Sequence, residues 1–291
     1  MDLAIRWRGA TETGRVRRRN EDAWGAFELS DPPGGSLLAV ADGMGGHPGG
    51  DHASRIAIEA CRQEAGRSAD SLAGPDRLVR LFHDARARLR READVLPSLD
   101  GMGTTLTVLL HQDDGAWVGH IGDSRLLWQR GAVLRLVTRD HNAAWEKVEA
   151  GEIDPEQAER DPLGSLLTRH LGTSGPSEPD LFASPLSLHP GDRLLLCSDG
   201  LGKAVPMEEA AAILQGQPLE AAVRRLLDRA DRGGSPDNVA LLLAEVAGVR
   251  APAGREPAKQ ASVPEDGSGW EIPGGLSWSE FLFAWSGRQP A

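Results

Sequence analysis

The sequence is poor in cysteine and has no long apolar run. Its two cysteines, Cys61 and Cys197, are too few for a disulfide framework, so we expect a protein of a reducing compartment. No apolar run approaches the roughly 20 residues of a membrane helix. The first residues lack the apolar stretch of a signal peptide. These absences predict a cytoplasmic protein without a membrane anchor.

Basic residues are also scarce relative to acidic ones. The chain has 32 Lys and Arg against 43 Asp and Glu, a formal net charge of −11 at pH 7. Binding to nucleic acid or to an anionic membrane surface needs a positive field, so both function classes are disfavoured.

Glycine, in contrast, is abundant. The chain has 35 glycines in 291 residues, about 12% against an average of about 7%. Five of them fall in the nine residues 42–50, directly after an apolar run. Such backbone freedom suggests close approach of the main chain to an ion or a phosphate.

The chain divides by composition into three segments. Residues 1–249 alternate short apolar runs with helical patterns and carry enough apolar residues for a core. Residues 250–269 are rich in Pro, Ala, Gly and charge and predict a flexible linker. Residues 270–291 form a tail with three of the eight tryptophans.

The tail contains a short amphipathic helical pattern. Trp278, Phe281, Leu282 and Trp285 share one helix face, and Ser277 followed by Glu280 predicts its start. A lone helix of about ten residues is marginal in water, so its aromatic face needs a surface. We expect it to dock either on its own domain or on a partner protein.

Within residues 1–249, strands cluster in antiparallel runs and helices lie between the runs, which predicts an α+β fold. Helices are expected at about 51–66, 75–94, 207–215 and 218–231. Strands are expected at 37–41, 104–110, 117–121, 126–129, 133–138, 193–198 and 238–246. Residues 140–180 are polar and irregular, with a short helical stretch near 142–150, and predict a surface insertion.

Several of the strands end or begin at an aspartate. The sequences LLAVADG, AWVGHIGDS, LLLCSDG and PDNVALLL place Asp42, Asp123, Asp199 and Asp237 at strand ends. Each pair of Asp and Gly alone is more typical of a turn. Carboxylates brought together at one rim, however, would repel each other unless a cation is present. An all-oxygen cluster suits Mg²⁺ or Mn²⁺ better than Zn²⁺.

Four arginines lie upstream of the first of these aspartates. Arg15, Arg17, Arg18 and Arg19 precede Asn20 and Glu21. Either the four arginines form a solvated surface, or one of them supplies a guanidinium that binds phosphate in a bidentate manner.

With these residues in this order, the chain resembles a known family, the metal-dependent Ser/Thr protein phosphatases of the protein phosphatase 2C type, in their bacterial form. The resemblance covers about residues 5–247. The matching blocks, in the family's order, are RRRNEDA (17–23), VADGMGGH (40–47), GMGTT (101–105), IGDSR (121–125), TRDH (138–141), LTRHLG (167–172), CSDGL (197–201) and DNV (237–239).

The resemblance implies a four-layer α-β-β-α sandwich of two antiparallel sheets flanked by helices, with residues 1–249 as the catalytic domain and 140–180 as a flap-like insertion. It also implies two bound Mn²⁺ or Mg²⁺ ions, with a third in bacterial members. The implied ligands are Asp42, which bridges two ions, the Gly43 carbonyl, Asp123, Asp199 and Asp237. Glu21 matches a position that orients metal-bound water, with Asp22 beside it, and Arg17 matches the phosphate-binding arginine.

The implied activity is hydrolysis of phosphoserine and phosphothreonine on proteins by direct attack of a water that bridges the metal ions. Phosphorylated proteins, a cognate Ser/Thr kinase among them, are the implied partners in signalling. Two other roles stay open. The domain could bind phosphoproteins without turnover, or the tail could make it a scaffold in a larger assembly.

Met44 stands where many eukaryotic members have a histidine, so the resemblance implies that water protonates the leaving group. His47 is expected to be structural. Cys61 and Arg67 have the spacing of a tyrosine phosphatase loop, but Cys61 lies in a helical pattern, so we interpret the spacing as a coincidence.

Overall fold

The computed structural model describes residues 3–44, 49–68, 74–112, 115–182 and 184–248. The strands of these residues are β1 (Leu3–Glu12), β2 (Asp22–Glu28), β3 (Ser36–Asp42), β4 (Gly103–Thr104), β5 (Leu106–Gln112), β6 (Gly115–Ile121), β7 (Arg125–Arg130), β8 (Val133–Leu136), β9 (Leu171–Gly172), β10 (Asp180–Leu181), β11 (Arg193–Cys197) and β12 (Val239–Gly248). The helices are α1 (Gly50–Ala65), α2 (Gly74–Val95), α3 (Ala143–Glu149), α4 (Pro155–Ala158), α5 (Asp199–Ala204), α6 (Met207–Leu214) and α7 (Leu219–Arg232).

Two antiparallel sheets lie at the centre of the described residues. One has the strand order β1-β12-β11-β7-β8 and the other β10-β6-β5-β3-β2, while β4 and β9 pair separately. Apolar side chains from both sheets, including Leu38, Val40, Leu109, Leu196 and Leu242, form the core between them.

Helices cover the outer face of each sheet. Leu78, Leu81 and Leu89 of α2, with Ala53 and Ala57 of α1, pack on the sheet that contains β3. The other sheet packs against α5, α6 and α7 through a third cluster, with Leu201, Leu214 and Leu226 at its centre. This architecture confirms the predicted four-layer α-β-β-α sandwich.

The predicted elements are present within two residues of their expected bounds. The elements that were not predicted are the strands β1, β2, β4, β9 and β10 and the helices α4 and α5. β1 pairs along its whole length with β12, from Leu3 opposite Gly248 to Glu12 opposite Val239. Its register therefore depends on a partner more than 200 residues away. Gly9 of β1 packs directly against the Trp24 ring of β2 and has no room for a side chain, because a Cβ at Gly9 would lie 2.6 Å from Trp24 Cε3.

The segment 140–180 holds more regular structure than expected. It contains α3, α4 and β9, and the side chain of Asn142 caps α3 by accepting from the Trp145 N–H at 2.9 Å. Its last residue, Asp180, pairs with His120 of β6, so the segment returns to the sheet. Its role as a flap and the bounds of the catalytic domain stay predictions.

The predicted linker 250–269 and tail 270–291 lie outside the described residues, as does His47. In the part of the chain that is described, no helix combines the length and the apolar character that a membrane span requires.

Candidate metal centre

Strand topology brings the predicted aspartates to one end of the sandwich. β3 and β6 both run antiparallel to β5, so Asp42, the last residue of β3, and Asp123, just after β6, lie at the same edge. In the other sheet β11 is antiparallel to β12, so Asp199 after β11 and Asp237 before β12 also share an edge. The two edges meet at this end.

Three of the four carboxylates converge closely. One oxygen from each of Asp42, Asp123 and Asp199 lies within 4.8 Å of the others. Burial, and next the negative charge of neighbouring aspartates, raises the pKa of Asp42 and of Asp123 well above the ordinary value. Such a cluster is unfavourable in its charged form without a cation.

One oxygen in this cluster lacks a protein partner. Asp199 Oδ1 is buried and accepts no hydrogen bond from the described residues. An orphaned carboxylate oxygen at the meeting point of three carboxylates is the donor that a hard divalent cation takes. The chemistry of these carboxylate donors therefore fits a Mg²⁺ or Mn²⁺ ion.

Hydroxyl groups hold the backbone of Asp42 in place. Its N–H donates to Thr105 Oγ1 at 2.9 Å, and its carbonyl accepts from Thr104 Oγ1 at 2.9 Å and from the Thr105 N–H at 2.8 Å. Thr105 Oγ1 is also 2.7 Å from Ser124 Oγ, which ties this loop to the loop of Asp123. Thr104 and Thr105 belong to the block GMGTT (101–105), but no local sequence signal indicates this role for them.

Gly43 has no room for a side chain. A Cβ at this position would lie 2.2 Å from the Gly50 carbonyl oxygen. The Gly43 N–H donates to the Glu21 carbonyl at 3.1 Å. The backbone at Gly43 therefore lies too close to the backbone at the start of α1 for any side chain.

Asp22 and Glu21 lie beside the cluster. Ser198 Oγ donates to Asp22 Oδ2 at 2.7 Å, while burial and the charge of Asp199 raise the pKa of Asp22 to about 7. The Glu21 N–H donates to Asn238 Oδ1 at 2.9 Å, and burial raises the pKa of the Glu21 carboxyl. These two residues thus join the loops of both sheets.

Asp237 is adjacent to the cluster but forms ion pairs with two basic side chains, Arg17 and Lys203. Arg17 contacts it through two nitrogens, Nη2 to Oδ2 at 2.9 Å and Nε to Oδ1 at 2.8 Å. Lys203 Nζ lies 3.5 Å from Asp237 Oδ2 and also pairs with Asp199 Oδ2. The predicted phosphate-binding arginine is therefore held at the site, whereas Arg18 and Arg19 are exposed as expected.

No local sequence signal indicated Lys203 as part of the site. It lies four residues after Asp199 in α5, a helix that was not expected from the sequence. Had the helix been predicted, the spacing of four would have indicated an ion pair on one face.

Two buried histidines, His120 and His141, form hydrogen bonds that give them a structural role. His120 is fully buried, with Nδ1 2.9 Å from Thr107 Oγ1 and Nε2 donating to the Arg139 carbonyl at 2.9 Å. His141 accepts from the Gly122 N–H at 3.1 Å and contacts Asp180 at 3.1 Å. Burial is the first cause of the lowered pKa of both imidazoles.

Both cysteines are buried free thiols. Cys61 lies inside α1, and burial raises its pKa. It therefore has neither the loop nor the thiolate of a tyrosine phosphatase, which confirms the interpretation of its spacing from Arg67 as a coincidence.

Comparisons with known proteins agree with this geometry. The family model described as Protein phosphatase 2C matches residues 11–243. The serine/threonine phosphatase stp of Listeria monocytogenes is 35% identical over 240 residues, which are 81% of this chain and 93% of that protein. A crystal structure of the catalytic domain of the serine threonine protein phosphatase PstP in complex with two manganese ions superposes with a TM-score of 0.73. It is 34% identical and covers 84% of this chain and 100% of that one.

The serine/threonine protein phosphatase PstP of Mycobacterium tuberculosis is 38% identical over 246 residues, 84% of this chain. The match spans 45% of the length of that relative. The family match, the fold and the strand-end carboxylates all cover the same part of the molecule. This chain belongs to the protein phosphatase 2C family.

Proposed function

We propose that this chain is a metal-dependent phosphatase that hydrolyses phosphoserine and phosphothreonine on proteins. The convergence of Asp42, Asp123 and Asp199 within 4.8 Å carries the proposal, because a phosphate dianion can approach such a cluster only if cations neutralise it. Membership of the protein phosphatase 2C family and the similarity to PstP support the same activity.

The proposed cofactors are two Mn²⁺ or Mg²⁺ ions, with a third as a further possibility at Asp123. Asp42, the Gly43 carbonyl, Asp123, Asp199 and Asp237 would hold them. The buried, unpaired Asp199 Oδ1 and the all-oxygen donor set fit these ions. Bound divalent ions would lower the pKa of a coordinated water and neutralise charge on the phosphoryl oxygens.

The chain's own residues would position the reactants. The hydrogen bonds from Thr104 and Thr105 fix the backbone of Asp42, so its carboxylate needs little reorganisation. Arg17 is about two-fifths exposed, which leaves its guanidinium able to reach a phosphoryl group from solvent. Ser198 holds Asp22, and Asn238 holds Glu21, so that both acids stay next to the metal ligands.

The proposed substrates are phosphorylated proteins, a cognate Ser/Thr kinase among them, and the proposed compartment is the cytoplasm. The net charge of −11 disfavours nucleic acid as a partner. The tail 270–291 lies outside the described residues, so both of its expected docking surfaces, its own domain and a partner, stay proposals.

Activity is tested with p-nitrophenyl phosphate and a phosphothreonine peptide, using the full chain with Mn²⁺ and with EDTA. We expect hydrolysis that requires the metal and is lost in EDTA. Absence of metal-dependent hydrolysis, with Mn²⁺ still bound, would favour the alternative of a phosphoprotein-binding module without turnover. Comparison with residues 1–249 on the phosphopeptide then tests whether the tail regulates activity.

A further inference from the structure

The side chain of Lys203 lies between two of the proposed metal ligands. Its Nζ pairs with Asp199 Oδ2 and lies 3.5 Å from Asp237 Oδ2. Both carboxylates are mostly buried, at 17% and 19% exposed, whereas the lysine is 40% exposed. An ammonium thus faces two acidic groups from the solvent side of the site.

The backbone keeps this arrangement in place. Gly200, directly after Asp199, packs so tightly that a Cβ there would lie 2.0 Å from the Asn238 carbonyl oxygen. The first turn of α5 is therefore in contact with the loop that carries Asp237. Lys203 is one turn further along the same helix, where its side chain points back toward Asp199.

A metal ion and this ammonium need the same two carboxylates. A divalent cation bound at the unpaired Asp199 Oδ1 would lie close to Nζ on Oδ2 of the same carboxylate, and the lysine charge would repel the ion. Arg17 already contacts both oxygens of Asp237, so Lys203 is the second cation of the chain at this carboxylate.

We infer that Lys203 is a tethered cation that competes with the divalent metal for Asp199 and Asp237 and so weakens metal binding. The inference rests on the proposed function, since it concerns the metal site of that activity. Lys203 would then set the concentration of free Mn²⁺ at which the site is occupied, although Lys203 is not itself a metal ligand.

The test compares Mn²⁺ binding to full-length wild type and Lys203→Met by isothermal titration calorimetry. Loss of the ammonium should tighten at least one Mn²⁺ site by about fivefold or more. Thermal unfolding gives a second readout that does not need turnover. In EDTA the variant should unfold at a lower temperature than wild type, because the carboxylates lose a counter-charge, and Mn²⁺ should raise its Tm by a larger amount.

Lys147→Met is the matched control. Lys147 pairs with Asp161 at 2.7 Å and is 32% exposed, so the variant makes the same change in net charge at a similar but remote ion pair. It should bind Mn²⁺ as wild type does. Lys203→Gln replaces Lys203→Met if the latter fails to fold.

The outcomes separate the two claims. If wild type binds no Mn²⁺, the proposed function and this inference both fail. If wild type binds Mn²⁺ and Lys203→Met binds it equally or more weakly, the inference alone is overturned. An equal gain in Lys147→Met would assign the effect to net charge and would also overturn it.

Discussion

Asp22 and Asp42 stand directly opposite each other where β2 begins and β3 ends. Directly opposed residues of an antiparallel pair have neighbouring side chains, so two acidic groups meet at the rim of the sandwich. Burial is the main cause of the raised pKa of Asp42, and the charge of Asp22 is the next. The site therefore concentrates negative charge at a place where the two sheets meet.

Asp42→Asn should cut kcat on p-nitrophenyl phosphate by at least about 100-fold, because the amide would lack the negative charge with which Asp42 would hold the proposed metal ions. The fold should persist, since the backbone hydrogen bonds to Thr104 and Thr105 remain. Activity with Mn²⁺ and circular dichroism would be measured together. Asp228→Asn, at an exposed position of α7, is the control, and a near wild-type rate in Asp42→Asn would refute the assignment of the site.

Arg17→Ala should mainly weaken substrate binding and raise KM by about tenfold, since a charge-assisted contact to phosphate is lost. Steady-state kinetics on a phosphothreonine peptide would measure it. Arg18→Ala is the control, because Arg18 is exposed and adjacent in sequence. Unchanged KM and kcat in Arg17→Ala would contradict its role.

Gly200→Ala should destabilise the protein by about 1–3 kcal/mol, because the new methyl group would meet the Asn238 carbonyl oxygen at 2.0 Å. Gly202→Ala, in the same helix, should be neutral or slightly stabilising, since the nearest atom to its Cβ is Arg125 Nη1 at 3.5 Å. Urea unfolding in EDTA would compare them without a contribution from metal binding. Equal stabilities would mean that α5 and the loop of Asp237 can move apart freely.

The contribution of His120 to stability should fall as the pH drops below about 6.5, the ordinary pKa of histidine. Burial lowers the pKa of His120 in the folded state, so its contribution is fully present above the unfolded value and is lost below it. The slope for one such histidine is at most about 1.4 kcal/mol per pH unit.

Urea unfolding between pH 7.5 and 5 would measure the slope in wild type and in His120→Gln. The difference between the two slopes gives the His120 contribution, because Asp22, whose raised pKa acts in the opposite direction, is present in both proteins. His83→Gln, at a histidine that is 81% exposed, is the control and should leave the slope unchanged. The same slope in all three proteins would show that His120 is not the source.

Much of the site could be predicted because strand ends mark it locally. Asp42, Asp123 and Asp199 each follow an apolar run, and a run of this kind identifies a buried strand without knowledge of its partners. Lys203 could not be found in this way. Its function depends on α5 being a helix and on the contact between Gly200 and Asn238, and neither is visible in a short stretch of sequence.

The edge strands give the same lesson for the fold. β1 carries Arg6 and Arg8 among its apolar residues, and β2 carries Gly25, so neither has the apolar run of a central strand. Each becomes a strand because a neighbour supplies hydrogen-bond partners, β12 for β1 and β3 for β2. The pairing of β1 with β12, more than 200 residues away, in particular leaves little trace in local composition.

The sequence by itself determined the fold class, the family and the types of ligand atom at the site, because hydrophobic runs and strand-end aspartates are local features of the chain. Tertiary structure alone decided which charged groups meet. It grouped Asp42, Asp123 and Asp199, and it placed Asp237 between Arg17 and Lys203. Electrostatic interactions depend on distance in space, and only the packing of the two sheets and α5 sets those distances.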